Sequence, residues 1–178
     1  ANTLENQKYE APNDHHKIIS RESGTVIITN THKPELVSVN VSKEWEDENN
    51  RDGIRPDALD VTLSKVLKNE TGEETYIPVN EDEFPSDAEV KTPTITLNSD
   101  KGWSGTWAKL YKYENGNEIQ YKVTENLPEN LQGAYTLKDG EPKVTVTGNT
   151  TTFAFTNTHT TDTTKLAVIK NWDDGNDI

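Results

Sequence analysis

The chain has 178 residues, 31 acidic and 18 basic, for a formal charge of −13, and this sign argues against nucleic acid and against an anionic membrane as partners, since both would be repelled. With no cysteine, neither a disulfide framework nor a thiolate metal site is available, so a small extracellular domain would need another staple. Only 30% of residues are hydrophobic and the mean hydropathy is −0.89, values low enough for disorder, but long period-two patterns argue for a thin, Thr-rich β-structure.

In chain order, ITNTHKPE at 28–35 comes first, preceded by the alternating Val26, Ile28 and Asn30. LVSVNVSKEW at 36–45 then places Val37, Val39, Val41, Lys43 and Trp45 on one side and Ser38, Asn40, Ser42 and Glu44 on the other, as a half-buried strand does. Its lysine stands on the apolar face, where lysine is almost never fully buried without a partner. Further strand-like stretches follow at 59–67, 74–79, 93–98, 105–110, 118–125, 134–138, 142–147 and 151–157. DGIRPD at 52–57, NETGE at 69–73, NSDKG at 98–102, ENGNE at 114–118 and KDGEP at 138–142 break them apart. No segment has a helical period. Short strands at this spacing predict an all-β fold, an antiparallel β-sandwich.

The chain also repeats itself. FTNTHTTD at 155–162 echoes ITNTHKPE, pairing Asn157 with Asn30, and VIKNWDDGNDI at 168–178 echoes VSKEWEDENNRDGI at 41–54, pairing Lys170 with Lys43. Both pairs lie 127 residues apart (157 − 30 and 170 − 43). The chain therefore reads as the tail of a preceding repeat (1–34), one complete repeat (35–161) and the first strand of a following repeat (162–178), an excerpt from a tandem array. The joins HKPE and HTTDTT are too short to act as flexible spacers, which predicts that neighbouring repeats stack end to end. No apolar run is long enough to span a membrane and no signal peptide opens the chain, so it reads as a mature or excised segment.

Two later strands share the oddity of the first. Ile119, Tyr121 and Val123 continue to Glu125 on one face, and Phe153 and Phe155 continue to Asn157. An amine, a carboxyl and a carboxamide thus each end an apolar face. One reading is a buried Lys43–Glu125 ion pair with Asn157 completing the hydrogen bonds. The other is covalent: a neutral Lys43 amine attacks the Asn157 carboxamide, releases ammonia and leaves an isopeptide bond between the first and last strands. Burial favours the neutral form of both an amine and a carboxyl. Glu125 would polarise the Asn157 carbonyl and carry protons from the amine to the leaving ammonia. Proximity in a rigid core would supply the remaining rate.

VSVNVSKEWEDENNRDGIRPDALDVTL at 37–63, GWSGTWAKLYKYENGNEIQYKVTE at 102–125 and the closing FAFTNTH at 153–159 resemble the CnaB-type repeats of Gram-positive surface adhesins and pilins. The resemblance covers essentially all of 36–160. It implies a sandwich of reversed immunoglobulin-like (CnaB, prealbumin-like) topology with a Lys to Asn isopeptide bond assisted by a Glu, roles that fall on Lys43, Asn157 and Glu125. It also implies a structural stalk on a cell-wall-anchored extracellular protein, with its neighbouring repeats as partners and host extracellular matrix engaged through the parent adhesin. The only catalysis implied is this single self-directed turnover, and no cofactor is called for. Asn30 lacks its Glu and Lys, and Lys170 stands alone, so neither is expected to react within its own repeat.

The remaining candidates have plainer readings. EDENNRDG at 46–53 has the look of a calcium loop, but Leu59 occupies the place of the bidentate Glu, so a solvated turn is expected. His15 and His16 are adjacent, hence on opposite faces of an extended segment, a poor metal pair. Trp103 and Trp107 could form a sugar-stacking platform, although a sandwich would draw at least one into its core. The alternative function is a binding module, in which the same sandwich presents its loops or an edge to a host matrix protein or glycan.

Overall fold

The computed structural model describes residues 16–22 and 25–173, and the chain divides into two compact units, Ala1–Glu35 and Leu36–Ile178. The first holds an antiparallel hairpin of β1 (His16–Glu22) and β2 (Thr25–Asn30), with His16 opposite Asn30 and an irregularity between Ile18 and Arg21.

The second unit is built from β3 (Leu36–Glu46), β4 (Ala58–Lys68), β5 (Glu74–Pro78), β6 (Thr94–Asn98), β7 (Ser104–Tyr111), β8 (Tyr113–Glu114), β9 (Asn117–Glu118), β10 (Tyr121–Asn126), β11 (Thr136–Leu137), β12 (Lys143–Thr147) and β13 (Thr150–Thr158). Short 3-10 turns interrupt these strands, and no α-helix occurs among the described residues. One sheet runs β11–β13–β3–β7, with β12 beside β11 along β13; the other centres on β4, with β10 on one edge and β5 and β6 sharing the other. Their inward residues meet in one core, alternating along the strands except across an irregularity between Trp107 and Leu110 on β7: Val39, Val41, Trp107, Leu110, Phe153 and Phe155 against Val61, Leu63, Leu97 and Val123. Each such side chain contributes roughly 1.5–3 kcal/mol when fully buried. At Gly105 the sheets come so close that a Cβ would stand 2.3 Å from the Ile95 side chain.

Pairing between the strands of the second unit is antiparallel except at one junction, where β13 runs parallel to β3 from Thr150 beside Ser38 to Thr158 beside Glu46. Period-two counting cannot foresee this direction, because alternation is the same in either orientation. The junction sets Phe155 beside Lys43 and Asn157 beside Trp45.

The strands follow the sequence pattern with two departures. The stretch 118–125 divides, with Asn117–Glu118 in a small hairpin against Tyr113–Glu114 and the long strand starting only at Tyr121. Between them the chain turns to satisfy Lys112 O from Ile119 N and Val66 N from Gln120 O. The stretch 134–138 shortens to the two residues that find partners on β13. Of residues 162–178, read as the first strand of a following repeat, 162–173 carry no regular structure, and Leu166, Val168 and Trp172 are exposed. A strand needs a neighbour for its backbone groups. Residues 174–178, which complete the sequence echo, lie outside the described residues.

Candidate functional site

Along β3 the inward row runs Val39, Val41, Lys43, Trp45, with Asp47 just past the strand end, and its first polar member is the lysine. The Lys43 side chain is 0% exposed, and Asn157, projecting from the neighbouring β13, is fully buried as well. Glu125 reaches the same point from β10 in the facing sheet. Its Oε1 accepts a 2.7 Å hydrogen bond from Asn157 Nδ2, and its Oε2 lies 3.3 Å from Lys43 Nζ. One carboxyl group thus touches both amine and carboxamide.

These contacts leave the cluster unsatisfied. Lys43 Nζ, Glu125 Oε2 and Asn157 Oδ1 are buried without a formed hydrogen bond, and so is Trp45 Nε1. An unmet buried polar atom costs about 1–3 kcal/mol, so a purely structural ion pair would be a poor one. Burial pushes the Lys43 amine down to about 8 from 10.5, overcoming the opposing pull of the Glu125 carboxylate. Roughly one amine in ten is then neutral at pH 7, against about one in several thousand for an ordinary lysine.

Aromatic rings wall the amine in. The Trp45 ring centroid stands 4.2 Å from Lys43 Nζ, and Trp103 at 5.4 Å and Tyr135 at 4.9 Å meet Trp45 edge-on. The Tyr135 hydroxyl donates to Asp47 Oδ2 at 2.8 Å, and Asp47 also accepts from the Arg55 guanidinium (Nε at 2.9 Å, with Nη2 closing a fork) and from Asn50 N at 2.8 Å. The solvated turn expected over 46–53 is therefore corrected at Asp47, which is 2% exposed. Arg55, the fork's other half, holds its carboxyl well below the usual range.

The same loop holds the chain leaving β13. His159 Nδ1 lies 2.7 Å from Ala134 O and Nε2 2.9 Å from Asp52 Oδ2, while Asp52 also accepts from Asp162 N at 3.0 Å. A carbonyl and a carboxylate oxygen only accept, so both ring contacts are satisfied only by the imidazolium. Asp52 accordingly raises the His159 pKa above its ordinary value, and His159 lowers that of Asp52. A raised histidine contributes stability that is present in full below its unfolded pKa of about 6.5 and is lost as pH rises through the folded one. Asp52→Asn should return the ring toward ordinary titration in an NMR pH series, and the stability gap between the two proteins should narrow above neutrality. Identical His159 titration in both would show that the contact carries no charge.

The other sequence candidates do not converge on a site among the described residues. Asn30 is exposed at the end of β2, and Lys170 is exposed with its amine 3.3 Å from the centroid of the Trp172 ring. His16 lies on β1, and His15 lies outside the described residues. Trp107 is fully buried and donates from Nε1 to Thr92 O at 2.9 Å, whereas Trp103 packs edge-on to Trp45, so the two form no open platform. Sequence reading assigned no role to Asp47, Arg55, Tyr135 or His159. Arg55 and His159 do stand inside the distinctive DGIRP and TNTH strings, the one available signal.

The family model of the Cna protein B-type domain matches residues 39–158. The chain is 31% identical over 157 residues to a collagen adhesin of Staphylococcus aureus, a match covering 88% of this chain and 10% of that protein, so the chain spans about a tenth of the curated relative's length. Similar solved structures are two B repeat units of the collagen binding protein of the same organism (26% identity, TM-score 0.48, 79% of this chain and 29% of that one) and a single B repeat unit (26%, 0.45, 83% and 61%). A pilus adhesin from Lactobacillus rhamnosus GG is a more distant likeness (18%, 0.40, 76% and 14%). A family match across the complete repeat, together with this relative over most of the chain, means that the chain belongs to the Cna protein B-type domain family.

Proposed function

We propose that residues 35–161 are a stalk repeat of a bacterial surface adhesin that locks itself with an isopeptide bond between Lys43 and Asn157. The observation carrying this reading is the one mostly buried Glu125 carboxyl that lies 3.3 Å from the amine and 2.7 Å from the carboxamide. Transfer of a proton from the Lys43 ammonium to the Glu125 carboxylate gives a neutral amine and a carboxylic acid, and a half turn of the Asn157 carboxamide, exchanging its oxygen for its nitrogen, lets that acid donate to the carbonyl. The neutral amine then attacks Cγ. Glu125 takes a proton from the new Nζ–Cγ linkage and returns one to Nδ2, which leaves as ammonia. The balance is one amine and one primary amide converted to one secondary amide and one ammonia. This reaction removes a buried cation and reduces the unmet polar groups of the cluster.

In this reading 1–34 and 162–178 belong to flanking repeats of an extracellular, cell-wall-anchored protein whose stalk presents a separate matrix-binding region. The test is the intact mass of the purified chain beside Glu125→Ala. The wild type should be lighter than its sequence by one ammonia and the variant should have full mass. Full mass in both would reduce the trio to a polar cluster.

A further inference from the structure

We propose that Tyr135 is a positioning residue for the Lys43–Asn157 reaction, holding the Trp45 ring over the amine through its own tether to Asp47; the role rests on the cross-link reading above. Two successive inward positions of β3 and the first loop residue beyond it carry the argument. Lys43 is the amine, Trp45 covers it at 4.2 Å, and Asp47 anchors what holds Trp45 in place.

Trp45 has no polar anchor of its own, because its buried Nε1 makes no hydrogen bond. Its place is set by the rings against its edges, Trp103 and Tyr135. Of these, Tyr135 is 3% exposed and tied at its hydroxyl to Asp47. Asp47 in turn is held by Arg55 and Asn50 independently of Tyr135. Tyr135 also lies two residues before Leu137, whose backbone partner is Asn157. The hydroxyl therefore joins the segment beside the electrophile to the strand end that follows the nucleophile. Burial pushes the phenol up to about 12, assisted by the Asp47 carboxylate, so it remains a donor across the working pH range.

The ring acts on the amine in two opposed ways. Its face favours the ammonium form by cation–π attraction, while its bulk excludes water and favours the neutral form. Desolvation leads, since Lys43 is lowered despite Glu125. Releasing Trp45 would let water reach Nζ and loosen the contact between amine and amide, so less neutral amine would be present and less often in line. Folding itself should persist in Tyr135→Phe, which keeps the ring and leaves Asp47 its other donors.

The experiment starts from full-length chain purified in denaturant from inclusion bodies, still uncross-linked. The chain is diluted into native buffer at a series of pH values, quenched in acid and read by intact mass, with folding followed in parallel by tryptophan fluorescence. Tyr135→Phe should fold as the wild type does, lose ammonia roughly tenfold more slowly at pH 7, and show a rate profile displaced to higher pH. Trp45→Ala should displace the profile further, and Trp45→Phe should restore much of the rate. A Tyr135→Phe chain with the wild-type rate and profile overturns the positioning role while leaving the cross-link intact. A wild type that folds but never loses ammonia overturns the cross-link and this role with it.

Discussion

Lys43→Ala should leave the repeat at its full sequence mass and lower its thermal midpoint by about 15 °C or more. The proposed bond would close a loop from residue 43 to residue 157, nearly the whole of 35–161. A cross-link over a loop of that length removes about 4–5 kcal/mol of unfolded-chain entropy. For a domain of this size each kcal/mol corresponds to roughly 3–5 °C. The variant also leaves Glu125 buried without its cation, an added cost of about 1–3 kcal/mol. Glu125→Gln separates the two contributions, because it retains shape and hydrogen-bonding capacity while withholding the proton carrier. If Glu125→Gln fails to cross-link and yet melts with the wild type in calorimetry, the bond is not what stabilises the repeat. Protease resistance should fall in parallel with the midpoint.

The second large effect is mechanical. Pulled from its ends, the wild-type repeat should yield only the short stretches outside residues 43 and 157, whereas Lys43→Ala should release about 400 Å of chain, the extended reach of a separation of 114 residues (157 − 43). With the proposed bond in place, load entering at Leu36 would run along β3 to Lys43, cross to Asn157 and leave through Thr158 and His159, so the strands between them would stay out of the path. Without the bond the same load is carried by the parallel ladder from Thr150 beside Ser38 to Thr158 beside Glu46, sheared along its length. Single-molecule pulling of the two proteins gives the answer directly. A full-length extension in a wild type that has lost its ammonia would mean that the load takes another route.

The residues of the trio could be read from the chain because each breaks a pattern. A lysine, a glutamate and an asparagine at the ends of apolar faces stand out against period two, and all three meet in the core. Asp47 did not stand out. It lies among six polar or charged neighbours in EDENNRDG, and composition cannot tell which carboxylate a tyrosine 88 residues later will cover. Tyr135 had no signal, since an aromatic residue in the short strand-like stretch 134–138 is ordinary core by pattern. His159 was visible only as a letter of a recurring string, and its two acceptors come from Ala134 and Asp52, far away in the chain.

By itself the sequence determined the fold class, the strand faces and the three polar residues on them, because alternation along a strand is a local property carried by adjacent side chains. It also determined the period of 127 residues, since repetition needs no structure to be seen. Only the tertiary structure decided that β3 and β13 lie side by side and parallel, that Glu125 meets the other two from the opposite sheet, and that a loop of apparent solvent residues anchors the rings around the amine. Those are contacts between residues far apart in the chain, and their distances are set by how two sheets close on one core.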